Sequence, residues 1–185
     1  MIKTIKRLEA YLNDLEERYK YYYEVERDKE ISGVKVDIFA KSSTEYFRQV
    51  LTKKIKIDQH YTKEYAIVKS LSGLGNKNEV EEFSQFLISS INKLSPPSTD
   101  TMCVVLNGIM ISDSGFSEDA IRFGEKFSFS KSFLLGIKGW HEIRLILVDL
   151  HNNKLFSNKK GKEVISAYKI NTETEKKGGG DKVLK

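Results

Sequence analysis

Residues 102–111 read MCVVLNGIMI, residues 112–116 read SDSGF, and residues 143–150 read IRLILVDL. The two apolar runs have the length and composition of strands, and a capped helix is predicted between them. Ser117 is a good N-cap, Glu118 and Asp119 complement the positive end of the helix dipole, and Phe116 before the cap can staple against Ile121. Strand, helix, strand is a βαβ unit. A run with as little alternation as 143–150 belongs to a strand covered on both faces. The expected fold class is therefore α/β, with α+β as the alternative: a mixed sheet of about five strands flanked by helices.

Upstream, Val80, Phe83, Leu87, Ile91 and Leu94 recur at helical spacing, with Glu79, Glu81 and Glu82 in the first turns. Pro96 and Pro97 end this helix. Before it, Tyr65, Ile67, Lys69 and Leu71 share one face of a strand over 64–71, preceded by a polar turn at 59–63. Alternation at Val34, Val36, Ile38 and Ala40 predicts another strand. Ser42-Ser43-Thr44 reads as a hairpin link to a strand over 45–58. Residues 1–29 read as an amphipathic helix, with Leu8, Leu12, Leu15, Tyr19 and Tyr22 three or four apart on one stripe. Packing on the sheet is the expected use of that stripe, and the surrounding tyrosines leave a homodimer through this helix open. One globular domain over 1–170 and a disordered polar tail over 171–185 complete the expected layout.

With 185 residues, 39% of them hydrophobic, the chain can bury a substantial core. Its net charge of +5 is modest, so any attraction to polyanions has to come from local clustering. The lone Cys103 has no partner for an intrachain disulfide, which points to a reducing, cytoplasmic setting. No segment approaches the roughly 20 apolar residues of a membrane helix. His60, His141 and His151 lack metal-ligand spacing, and Gly136–Trp140 lacks that of a phosphate loop.

The order helix, three strands, acidic helix, strand, helix, strand resembles the core of the restriction-endonuclease-like superfamily, the PD-(D/E)XK nucleases. Val104-Val105-Leu106 through Gly115-Phe116-Ser117-Glu118-Asp119-Ala120-Ile121 resembles the Mrr-type and resolvase-like branches. The resemblance implies an Asp and a Glu-x-Lys on successive strands holding Mg²⁺, which activates water while the lysine orients it. Asp37 matches the Asp and Lys69 the lysine, but Ile67 stands where the Glu belongs, so the motif is degenerate. In relatives whose acid has moved to the next helix, its counterparts here are Glu79 and Glu82. With Glu82, the candidate catalytic set is Asp37, Lys69 and Glu82, and the candidate metal ligands are Asp37 and Glu82.

Arg48, Lys54 and Lys56, with Lys53 beside them, form the most basic stretch, suited to tracking phosphates, with Tyr46 as a stacking ring. A lysine-protected sheet edge explains the same residues equally well. Arg144 lies in an apolar strand and must find a carboxylate or carbonyls, with Asp149 or an acid on a neighbouring strand as the expected partner. The expected function is DNA or RNA binding, or an accessory role, by a domain that has lost its nuclease motif and needs no cofactor. A Mg²⁺-dependent nuclease with a migrated acid and a non-enzymatic module dimerising through the N-terminal helix are the alternatives.

Overall fold

The computed structural model describes residues 2–47, 59–96, 101–133 and 139–171. The chain begins with helix α1 (Ile2–Lys20), followed by strands β1 (Glu24–Ile31), β2 (Val34–Phe47) and β3 (Gln59–Leu71). Helix α2 (Lys77–Leu94), strand β4 (Thr101–Ser112) and helix α3 (Glu118–Lys126) come next. Strands β5 (Phe129–Ser132), β6 (Trp140–Asp149) and β7 (Lys154–Ser157) and two short 3₁₀ turns complete the chain. The strands form one mixed seven-stranded sheet in the order β1-β2-β3-β4-β6-β5, with β7 also pairing β6. β3, β4 and β6 run parallel, and the remaining pairings are antiparallel. The fold class is α/β.

Helices cover both faces. On one, Leu12, Leu15 and Tyr19 of α1 pack with Ile38, Ala40, Ala66, Val68, Ile109, Ile111, Ile146 and Val148. On the other, Val80, Phe83, Leu87 and Ile91 of α2 and Ala120 of α3 pack with Phe39, Ile67, Leu106, Met110, Ile143, Leu145 and Leu147. Both faces of β4 and β6 are therefore buried, which is why their apolar runs show so little alternation. Asn76 and Glu79 form a reciprocal capping box at the start of α2, and Ser117 accepts from Ala120 N at the start of α3. The loops before these helices bond to each other, Gly75 N to Gly115 O and Ser117 N to Gly75 O, both at 2.9 Å.

Three expectations change in the N-terminal third. The first helix stops at Lys20, and much of the segment read as helical to 29 is an edge strand. Ser32 and Gly33, at φ 52 and 81, make the two-residue turn from β1 to β2. Glu24, Glu26, Arg27, Asp28, Lys29 and Glu30 mimic a solvated helix face, but they line an edge where charge discourages further pairing. Ser42-Ser43-Thr44 is not a turn either: Ser43 and Thr44 pair with Lys63 and Thr62 inside a continuous ladder. The polar stretch 59–63, expected as a turn, is the first half of β3 for the same reason. Residues 48–58 of the expected second strand lie outside the described residues.

At the other end of the chain, the segment up to residue 171 is tied to α1. Tyr11 Oη donates to Tyr168 O at 2.7 Å, Arg18 donates to Ala167 O and Lys169 O, and Asn171 Nδ2 donates to Asp14. The expected disordered tail otherwise lies outside the described residues. No helix among them is long and apolar enough to cross a membrane.

Gly108 of β4 lies against Leu87 of α2, where an added Cβ would come within 2.1 Å of Leu87 Cδ1. Gly108→Ala is expected to lower stability by about 1–3 kcal/mol, the cost of overpacking. Urea unfolding measures it, and a loss below about 0.5 kcal/mol would mean that α2 is not seated tightly on the sheet.

Candidate functional site

The structure brings Asp37 and Lys69 to the same end of adjacent strands and gives the carboxylate a structural partner. Asp28, at φ 51, interrupts the β1–β2 ladder between the Arg27–Ile38 and Lys29–Val36 pairs. Beyond that point the hairpin end twists, so that Val36 joins the core under α2 while Ile38 faces α1. Asp37 sits at this twist, where the β2–β3 ladder ends, and its Oδ2 accepts from Ser70 N at 2.5 Å. The carboxylate thus satisfies a backbone donor that the ladder leaves over. Ile67, at the diagnostic acid position, is fully buried core, and Glu82 is exposed on α2.

These residues do not fit a magnesium site. One carboxylate oxygen of Asp37 is committed to the backbone, and no group of three or more His, Cys, Asp or Glu that could hold a metal exists among the described residues. Glu79 closes the cap of α2. Arg48, Lys53, Lys54 and Lys56 lie outside the described residues. The backbone of Tyr46 pairs with His60 near the end of the long β2–β3 ladder.

Two other assemblies emerge. The first is a polar cluster where the α1-facing sides of β3, β4 and β6 change from apolar to charged. Arg144 pairs with Glu163 at 2.9 Å, Glu142 at 3.4 Å and Glu64 at 3.8 Å. Lys160 adds a second cation on Glu142 at 2.7 Å, and Asn107 Nδ2 donates to Glu64 at 2.7 Å. The expected need of Arg144 for an acid is met, but not by Asp149, whose oxygens accept from Asn152. Tyr23 donates to Glu64. Burial first, and the Glu64 charge second, push the Tyr23 phenol well above its ordinary range.

The second assembly is a cleft of about 510 Å³ where β1 begins and the β2–β3 ladder runs on beyond it. The first β1–β2 pair is Glu24–Lys41, so β2 from Ser42 onward has no β1 neighbour. Lys41, Ser43, Lys63 and Tyr65 are cross-strand neighbours that line the cleft from the sheet side. Lys20 and the turn Tyr21-Tyr22-Tyr23 line it from the end of α1. Bonds from Tyr22 N and Tyr23 N to Tyr19 O, at 3.0 and 2.8 Å, hold that turn. Tyr21 and Tyr22 are 82% and 81% exposed.

Lys20 is paired with Glu16 and Glu17, and Lys41 with Glu24. These bridges are solvent-exposed and leave both cations able to exchange partners. Lys63 has no acid partner among the described residues. Sequence reading missed the cleft, because its walls come from three separate stretches of chain. The tyrosine run was visible, but treating it as part of a helix stripe hid its exposure.

A family model described as a domain of unknown function (DUF8052) matches residues 7–170, and the chain belongs to that family. Searches of curated proteins and of solved structures returned no match.

Two predictions follow from the polar cluster. Arg144 and Glu142 side chains are only 16% and 8% exposed. Arg144→Ala is expected to cost about 1–3 kcal/mol, because three carboxylates lose a charged hydrogen-bonding partner while Glu142 keeps Lys160. A denaturant-melt loss below about 1 kcal/mol would mark the network as a surface one. Cys103 lies nearby, and burial, with the Glu142 charge adding to it, pushes its thiol up to about 11. At pH 8 the native thiol is therefore protonated and is expected to react with a disulfide reagent far more slowly than in the unfolded chain. Equal rates would contradict this.

Proposed function

We propose that this domain binds nucleic acid through the tyrosine- and lysine-lined cleft and the basic residues of the sequence 48–56, without cutting the strand. The observation that carries the reading is the pair of outward rings, Tyr21 and Tyr22, beside Lys20, Lys41 and Lys63. Phosphates draw cations, and bases offer flat faces to aromatic rings, so such a surface suits a polyanion that carries bases. Residues 48–58, between the paired ends Phe47 and Gln59, add Arg48, Lys53, Lys54 and Lys56 against Asp58 alone.

The order α1, β1 to β3, α2, β4, α3, followed after the short edge strand β5 by β6 parallel to β4, supports the restriction-endonuclease-like resemblance. Ile67 in the core and Asp37 on a backbone amide support a binding role over a catalytic one. The stripe of α1 is used within the chain, since Leu12, Leu15 and Tyr19 are buried against its own sheet, which speaks against that stripe as a dimer seam.

Fluorescence anisotropy with labelled oligonucleotides tests the reading. Binding is expected at about 50 mM salt and is expected to weaken steeply towards 200 mM as condensed counterions cease to be released at a profit. Replacing Arg48, Lys54 and Lys56 by alanine is expected to shallow the slope of log affinity against log salt by about two to three. The absence of salt-sensitive binding to either DNA or RNA would overturn the proposal.

A further inference from the structure

We infer that the cleft takes an unpaired, single-stranded segment, with one or two bases stacked on Tyr21 and Tyr22 and the backbone running over Lys63. This deepens the nucleic-acid reading and rests on it. Two adjacent tyrosines, each more than four-fifths exposed, sit on a turn pinned by two backbone bonds to Tyr19 O. The rings are carried on a hydrogen-bonded turn, so a stacking partner meets them with less backbone entropy left to lose.

A duplex does not use such a surface. Its bases are already stacked on one another, and it presents phosphates and groove edges to a protein, which cations alone can meet. A single strand presents free base faces, and stacking on a tyrosine tolerates any base. The cleft volume of about 510 Å³ lies within the range of about 300–1,000 Å³ typical of small-ligand sites. It has room for a short piece of one strand. Its charge fits as well. Three lysines face it against one lining acid, Glu24, and Lys63 has no acid partner among the described residues to give up before it meets a phosphate.

The test compares a labelled 15-nucleotide oligothymidylate with a 15-base-pair duplex at the same salt, using the full chain and three variants. The wild type is expected to bind the single strand at least tenfold more tightly. Y21A/Y22A is expected to lose at least tenfold on the single strand and to leave the duplex unchanged, whereas Y21F/Y22F, which keeps both rings, retains wild-type affinity. K63A is expected to weaken the single strand and shallow its salt slope by about one.

Equal or tighter duplex binding, indifferent to the tyrosine variants, would overturn the single-strand assignment and leave nucleic-acid binding standing. Failure of both probes to bind would remove the underlying reading as well. Displacement of the oligonucleotide by phosphatidylserine vesicles at matched phosphate would overturn it in favour of a membrane surface.

Discussion

The long antiparallel ladder between β2 and β3 is the interaction on which the rest of the molecule depends. It runs in unbroken register from Ile38–Val68 to Phe47–Gln59. At one end its residues lie inside both cores, with Ile38, Ala40, Ala66 and Val68 under α1 and Phe39 and Ile67 under α2. At the other end the ladder outruns β1. β3 also joins the two halves of the sheet, antiparallel to β2 on one side and parallel to β4 on the other. A one-residue slip in this ladder would turn Ile67 and Val68 to the wrong cores, so burial on both faces holds the register. The same register sets Lys63 opposite Ser43 and so builds one wall of the cleft.

Charge is used differently at the two places where it meets the sheet. Around Arg144 the acids and cations are drawn together and partly desolvated, and every charged member has a partner of opposite sign or a hydrogen bond. Such an arrangement gives little net stability, but it makes the loss of any one member costly. Around the cleft the bridges are exposed and weak, and the aromatic rings stand uncovered. The first environment favours fixed geometry, and the second favours exchange of partners, which is what a binding surface for a phosphate chain requires.

How much of this was legible in the sequence follows from how local each signal is. β4 and β6 are apolar throughout because both faces are covered, and Ser117 caps α3 through the amide three residues on, so these could be read directly. β1 could not. Its charges suit a helix surface as well as a sheet edge, and only the Ser32-Gly33 turn and the partners on β2 decide between them. The polar residues 42–44 and 59–63 look like turns until they are placed opposite each other. Asp37 and Lys69 were expected on strands with another, over 45–58, between them, whereas the continuous β2 makes their strands neighbours, and the backbone amide that occupies Asp37 belongs to Ser70 and is visible only once the ladder end is built. The need of Arg144 for an acid was readable. Its choice of Glu64, Glu142 and Glu163 over Asp149 depends on which face of β6 it occupies and on the turn that brings back Glu163, 19 residues further along.

The most direct test of the central claim is an NMR titration of ¹⁵N-labelled protein with a short oligothymidylate, following backbone amide shifts. Perturbations concentrated at Lys20–Glu24, Lys41–Ser43 and Lys63–Tyr65 would agree with the account. Shifts centred instead on Asp37, Ser70 and the start of α2, or no shifts at low salt, would contradict it.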